Sequence, residues 1–216
     1  MYEKLETKDG SFTYRNTEVG ATYRSTNGAL TESRYTFLQG TRLQERPSPW
    51  KVLELGFGTG LNFRVTAEAA RAAGVELEYM SLEPAPMPAE LWLVPQEWKS
   101  LEINEPFQIG AITLTVVKAR WQDFQPPSAY FQAVYHDPFG PGQAPECWES
   151  PCYQWSLRAL EKDGVLATFG ASGAARRAMK EAGYLVGSLP GAPGKREMTV
   201  ASPSAGAIGF AKSWKR

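Results

Sequence analysis

At 216 residues the chain has room for one substantial core and a modest appendage, and two full domains would be cramped. Hydrophobic residues make up 43% and charged residues 21%, and no apolar run approaches the roughly 20 residues that a bilayer span needs, so a soluble globular protein is expected. The formal net charge is +0, which argues against nucleic-acid binding through bulk electrostatics, and two cysteines, Cys147 and Cys152, cannot complete a structural zinc site.

Residues 1–46 alternate aromatic and polar positions (Phe12, Tyr14, Tyr23) around the turn residues Asn16, Gly20 and Asn27-Gly28, which predicts a small β-hairpin element. Residues 29–38 then have a helical pattern. Pro47 and Pro49 separate this extension from an apolar run at 51–55 that reads as a buried parallel strand, and a main domain over 47–216 is expected to begin there. Past a glycine-rich turn, 61–73 is Ala-rich and helical, and 76–82 is a second strand ending at Glu83. A proline-studded stretch with Trp92 and Trp98 leads to a predicted hairpin, 107–109 with 112–118. The spacing then predicts a strand over 131–135, a helix over 148–161, a strand over 164–169, a helix over 174–182, and two closing strands over 184–189 and 197–201. Alternating strands and helices of this kind imply an α/β Rossmann-like fold: a mostly parallel, doubly wound sheet carrying an antiparallel edge strand.

Charge is unevenly spread. From position 170 onward there are eight Lys or Arg against two Glu, leaving the earlier part acidic. Such asymmetry suggests an anionic partner on the basic side, or simply basic side chains decorating late surface elements. The polar start Met1-Tyr2-Glu3-Lys4 lacks the apolar stretch of a secretory signal, so a cytoplasmic location with reduced thiols, and no membrane association, is expected.

Chemistry concentrates in two places. Glu54-Leu55-Gly56-Phe57-Gly58-Thr59-Gly60 lies where a buried strand turns into a helix, and its alternating glycines allow a tight turn and close approach to a ligand. The spacing is neither the dinucleotide G-x-G-x-x-G nor a P-loop, and an acid two residues before the first glycine is the form usual for S-adenosylmethionine enzymes. Glu83, ending the next strand, is placed to bond both ribose hydroxyls. The second place is His136-Asp137-Pro138-Phe139-Gly140-Pro141, at the carboxyl end of a central strand on the same sheet edge. Asp137 can accept N–H bonds from an amine and aim its lone pair, and Phe139 can stack on a flat or cationic group. The lone histidine, without a paired acid, reads as structural. No metal is implied.

Asp137-x-Phe139-x-Pro141, Pro145-x-x-Trp148, Leu166-Ala167-Thr168-Phe169, Arg176-Arg177 and Gly194-Lys195-Arg196-Glu197-Met198 together resemble the bacterial tRNA 5-methylaminomethyl-2-thiouridine methyltransferases. Tyr23-x-Ser25, Gly28, Glu32-x-x-Tyr35-x-Phe37-Leu38 and the Gly56 to Phe63 block agree with that resemblance, which runs from about residue 10 to 201. It implies S-adenosylmethionine-dependent N-methylation of the aminomethyl group on a tRNA wobble uridine, by the stand-alone methyltransferase version without the flavin oxidase domain. It also implies that Glu54, Gly56, Phe57, Gly58, Gly60, Asn62, Glu83 and Asp137 hold the cofactor and that Asp137 and Phe139 act in catalysis. Tyr23, Trp148, Arg176, Lys195 and Arg196 are then expected on the tRNA anticodon side. The oligomeric state stays open, a monomer being compatible. One departure is Arg120, where such proteins usually carry an acid bordering the adenine, with Trp121 or Asp123 left to serve. A polyamine aminopropyltransferase shares an Asp-Pro-x-Gly-Pro turn, but the acids that would hold a polycation are absent before Asp137. A non-enzymatic RNA-binding module with a vestigial cofactor fold is the other alternative.

Overall fold

The computed structural model describes residues 1–214. A separate three-stranded antiparallel sheet opens the chain, β1 (Tyr2–Glu6), β2 (Phe12–Asn16) and β3 (Ala21–Thr22), one strand more than a hairpin. A short helix α1 (Ala29–Glu32) follows and widens into a π-helix over Ser33–Gln39, so the expected helix is present with a different winding. The Gly40 N–H reaches back five residues to the Tyr35 carbonyl, and this wider turn keeps the successive residues Thr36, Phe37 and Leu38 buried together.

The main sheet is built on β4 (Trp50–Leu55), β5 (Leu77–Leu82), β6 (Pro106–Ile109), β7 (Ile112–Val117), β8 (Phe131–His136), β9 (Leu160–Thr168), β10 (Leu185–Pro190), β11 (Glu197–Ser202) and β12 (Lys212–Ser213). Their order is β12-β10-β11-β9-β8-β4-β5-β7-β6. Strands β9-β8-β4-β5-β7 run parallel, whereas the pairings beyond them, β7 with β6 on one side and β9 with β11, β11 with β10 and β10 with β12 on the other, are antiparallel. The single antiparallel edge expected from the sequence is therefore corrected to antiparallel strands at both edges. Both extra edges come from hairpins, which need no crossover helix.

Only three regular helices longer than one turn serve the sheet among the described residues: α2 (Leu61–Ala73), α3 (Ser150–Ala159) and α4 (Gly173–Glu181). The helix expected over 148–161 is shorter at both ends. Pro151 has no N–H to give to the carbonyl four residues back, so Trp148 sits in a separate 3₁₀ turn, and β9 already starts at Leu160. Alternate residues of the central strands enter opposite cores. Val52, Ala133 and Tyr135 pack with Phe63, Val65 and Trp98 on one face, while Leu53, Leu55 and Val134 pack with Tyr153, Trp155 and Met179 on the other. Tyr14, Phe37, Leu38 and Leu43 of the first 46 residues join the former core, so the extension shares its packing with the sheet. No described helix is long and apolar enough to cross a membrane.

Candidate active site

Strand order reverses at β4: the chain leaves β4 toward β5 and returns on the other side as β8. Loops leaving the carboxyl ends of two such strands diverge and open a crevice, the usual ligand site of open α/β sheets. Here the two loops are the glycine turn after β4 and the Asp137 turn after β8, paired through Leu55 opposite His136. They touch, because the Asp137 N–H donates to the Leu55 carbonyl at 3.0 Å. Gly56, with φ +93, could not be another residue, since a Cβ would lie 2.6 Å from the Asp137 carbonyl oxygen.

A cavity of about 820 Å³ occupies the crevice. That is within the range of sites that enclose a drug-sized ligand and leaves room for a second group. Its floor is Gly56, Phe57 and Gly58 with Glu83, one side is Asp137 to Gly140, and the opposite rim is Ala119 to Gln122. The remaining wall comes from the N-terminal extension, through Tyr23, Arg24 and Glu32, with Arg15 at the mouth.

Glu83 is half-buried and accepts the Gly58 N–H at 3.0 Å and the Ala85 N–H at 3.1 Å. Burial pushes its carboxyl above the usual range, and these two donors work against that rise. Tyr23 lies over Gly58, where a Cβ would be 2.8 Å from its ring, and its centroid is 5.1 Å from that of Phe139. Two aromatic rings thus flank the mouth beside Asp137.

Several expected site residues lie behind the cavity wall. The Glu54 carboxylate is buried beneath the loop, accepting Asn62 Nδ2 at 2.8 Å and Ser81 Oγ at 2.8 Å. Asn62 Nδ2 also donates to Asp137 Oδ2 at 3.0 Å, so Glu54 and Asn62 connect the two turns from below. Gly60 caps α2 at φ +73, packed against Val94 and Phe57. Trp148, expected at the acceptor site, is buried under the Asp137 turn with its indole N–H donating to the Phe139 carbonyl at 2.7 Å. It shapes the turn and does not line the cavity.

The basic residues also sort differently from the expectation. Arg176 is corrected from an RNA-facing residue to a buried one: its guanidinium donates to Thr199 Oγ1 at 3.0 Å and to Glu197 Oε2 at 2.9 Å. Lys195 lines the cavity, its Nζ 2.6 Å from Glu32 Oε2 and 4.5 Å from the Phe169 ring centroid. Arg196 is exposed. Arg120 is on the cavity rim together with Trp121 and Gln122, and it forms an exposed ion pair with Asp123 at 2.9 Å.

His136 is buried between Trp148 and Tyr153, with ring centroids 5.0 and 4.8 Å away, and burial pushes its pKa down to about 3. A neutral imidazole sealed off in this way has no route to proton transfer in the cavity. Both cysteines are free and buried.

Sequence reasoning missed Arg24, whose guanidinium pairs with Asp137 Oδ2 in the cavity wall. It is the unassigned position between Tyr23 and Ser25, and nothing in its local pattern marks it as buried.

Residues 92–204 match a family described as S-adenosyl-L-methionine-dependent methyltransferase, Methyltransf_30, and the chain belongs to that family. Among individual relatives it is similar to the tRNA 5-methylaminomethyl-2-thiouridine biosynthesis bifunctional protein MnmC of Ralstonia nicotianae, 32% identical over 208 residues. That match covers 83% of this chain and 31% of the relative. The protein of the same name from Vibrio campbellii is 31% identical over 216 residues, covering 83% of this chain and 32% of the relative. The chain thus spans about a third of the length of these curated relatives. The crystal structure of MNMC2 from Aquifex aeolicus shares the fold with a TM-score of 0.81 at 22% identity, over 100% of this chain and 79% of that one.

The residues present fit this family's cofactor: backbone at Gly56 and Gly58 held at positive φ in contact with the cavity, and an acid, Glu83, anchored to the same loop.

Proposed function

We propose that the chain methylates the aminomethyl nitrogen carried by a wobble uridine of tRNA, giving a methylaminomethyl group. The observation that carries this reading is the convergence of three elements on one cavity: the glycine loop, Asp137, and the adjoining rings of Tyr23 and Phe139. The relatives whose names assign them to methylaminomethyl-thiouridine biosynthesis on tRNA support the choice of acceptor.

In this reading Gly56, Phe57, Gly58 and Glu83 hold the cofactor directly, while Glu54, Gly60 and Asn62 support their loop. When bound, S-adenosylmethionine supplies an electrophilic methyl group on a sulfonium whose sulfur keeps the bonding electron pair as the methyl leaves. Asp137 Oδ1 accepts an N–H of the neutral acceptor amine and thereby aims its lone pair, which forms the new N–C bond. The extra proton of the resulting ammonium passes to solvent at the mouth. Tyr23 and Phe139, packed against each other, offer one aromatic surface on which the uracil ring rests, and they exclude water around the amine. Arg196 and Arg15, both exposed, meet the phosphates of the anticodon region. A cytoplasmic protein with residues 1–46 as the acceptor-side extension of a methyltransferase domain over 47–216 completes the proposal.

The test is nucleoside mass spectrometry of tRNA from cells with and without the gene. Loss of methylaminomethyl-uridine with accumulation of the aminomethyl form is expected, and an unchanged nucleoside profile would reject the acceptor.

A further inference from the structure

The carboxylate of Asp137 is unevenly engaged. Its Oδ2 takes both the Arg24 guanidinium and the Asn62 amide, whereas among the described residues nothing bonds to Oδ1. The Arg24 and Asp137 side chains are each 5% exposed, so the pair is shielded from water on all sides but the cavity. Arg24 is itself fixed. Its backbone N–H donates to Thr13 Oγ1 at 2.9 Å, its guanidinium carbon lies 5.2 Å from the Phe37 ring centroid, and Nη1 has no partner.

We propose that Arg24 is a positioning residue for methyl transfer, holding one oxygen of Asp137 so that the other faces the acceptor amine. The proposal rests on the functional reading above and adds that the N-terminal extension completes the active site. A carboxylate free to rotate about its last bond would offer its oxygens in many directions. One tied at Oδ2 by a guanidinium nitrogen and an amide presents Oδ1 in one.

The same contact sets the charge of Asp137. The groups facing it are Arg24 after β3, Glu32 on α1, Glu54 on β4, Asn62 on α2, and Lys195 before β11. Burial and the Glu32 charge favour the neutral acid, while Arg24 and Lys195 favour the carboxylate. Lys195 is already paired with Glu32, which leaves Arg24 as the principal counter-ion.

The test uses the full chain with Arg24→Met, Arg24→Lys, Asp137→Asn and the double variant Arg24→Met/Asp137→Asn. Single-turnover methylation of aminomethyl-uridine tRNA across pH is followed beside calorimetric cofactor affinity. Arg24→Met is expected to lose about 10- to 100-fold in rate at pH 7 with cofactor affinity within a few-fold of wild type. Its acid limb should move upward by at least one pH unit, because an adjacent cation depresses a carboxyl pKa by about one to three units. Arg24→Lys, which keeps the charge and loses the planar group placed by Phe37, should keep the limb near its wild-type position at a reduced rate. The double variant should be no slower than Asp137→Asn. A wild-type pH profile in Arg24→Met, or a further loss in the double variant, would overturn the proposal. If the charge left on Asp137 prevents Arg24→Met from folding, the comparison of the double variant with Asp137→Asn decides alone. Carboxylate titration of Asp137 by ¹³C NMR in wild type and Arg24→Lys or Arg24→Met needs no acceptor. A wild-type protein inactive on this tRNA would fail the functional reading, whereas an Asp137 titration unmoved by Arg24→Met would fail the present one.

Discussion

Glu83 Oε2 accepts the Gly58 backbone N–H at 3.0 Å, so the acid that ends β5 is bonded directly to the glycine loop that follows β4. One residue thus both shapes the loop and presents a carboxylate to the cavity. Glu83→Ala removes an anionic acceptor from a partly buried site and should weaken S-adenosylmethionine binding by about 1–3 kcal/mol. Glu83→Gln keeps one oxygen for Gly58 and should fall between. Calorimetry showing equal affinity in folded Glu83→Ala would remove the residue from the cofactor site.

Asp137 is expected to act by orientation. Burial, the largest influence, pushes its pKa up to about 6 against the opposing effect of Arg24. Turnover should therefore decline below about pH 6 as the carboxylate is protonated and Oδ1 stops accepting N–H bonds. Asp137→Ala should lose about two to four orders of magnitude in single-turnover rate. Asp137→Asn retains an acceptor oxygen and should be intermediate; equal losses in the two variants would point instead to obligatory proton transfer at this atom.

The parts of the fold legible in the sequence were those with strong periodicity and punctuation. Residues 51–55 and 131–135 read as buried strands because they are short, mainly apolar runs, and the structure pairs them as β4 and β8. Glycines at 56, 58 and 60 read as a loop because glycines in alternation allow a tight turn and close approach to a ligand, and in the structure all three take positive φ. What was not legible is pairing between distant side chains. Arg176 and Arg196 look alike in sequence, yet one threads inward to Glu197 and Thr199 while the other points outward. Trp148 is expected on the tRNA side by resemblance alone, because nothing local says that its N–H is taken by the Phe139 carbonyl. Burial of a polar group is decided by a partner more than 20 residues away in the cases of Arg24 and Arg176, beyond the reach of any local pattern.

That difference between the two arginines is testable. Phosphate contacts release counterions, so tRNA affinity should fall with salt, and removing one contact should reduce the logarithmic slope by about 0.7–0.9. Arg196→Gln is expected to do this with little effect on stability. Arg176→Gln should leave the slope unchanged and destabilise the fold by about 1–3 kcal/mol, since it breaks bonds to Thr199 and Glu197 in a buried site. A slope reduced in Arg176→Gln and unaltered in Arg196→Gln would reverse the assignment.

Glu54 links the stability of the fold to pH. Burial, and then the neighbouring Asp137 charge, push its carboxyl up to about 8, while Arg24, Asn62 and Ser81 oppose the rise. An unfolded glutamate titrates near 4.3, so the folded state holds this proton more tightly than the unfolded state. Stability from this group is full below about pH 4.3 and declines as pH rises toward about 8. Asp137, at about 6 in the folded state against roughly 3.9 unfolded, acts in the same direction over a lower window. An opposing contribution comes from Asp9, whose carboxyl, although burial works against its charge, is held below the ordinary range by Ser11, Thr7 and Thr31. Its stabilisation is lost only at acid pH, below the ordinary aspartate value. Between pH 5 and 8.5 the buried pair should therefore dominate, and the melting temperature should fall as pH rises. Glu54→Gln has the shape of the protonated acid and cannot ionise, so its melting temperature should fall less over the same range, with the largest gap from wild type near pH 8. Thermal unfolding of both proteins in buffers of matched ionic strength measures this. Parallel pH profiles would mean that Glu54 is ionised throughout, with Arg24 and Asn62 stabilising its charge as fully as water does.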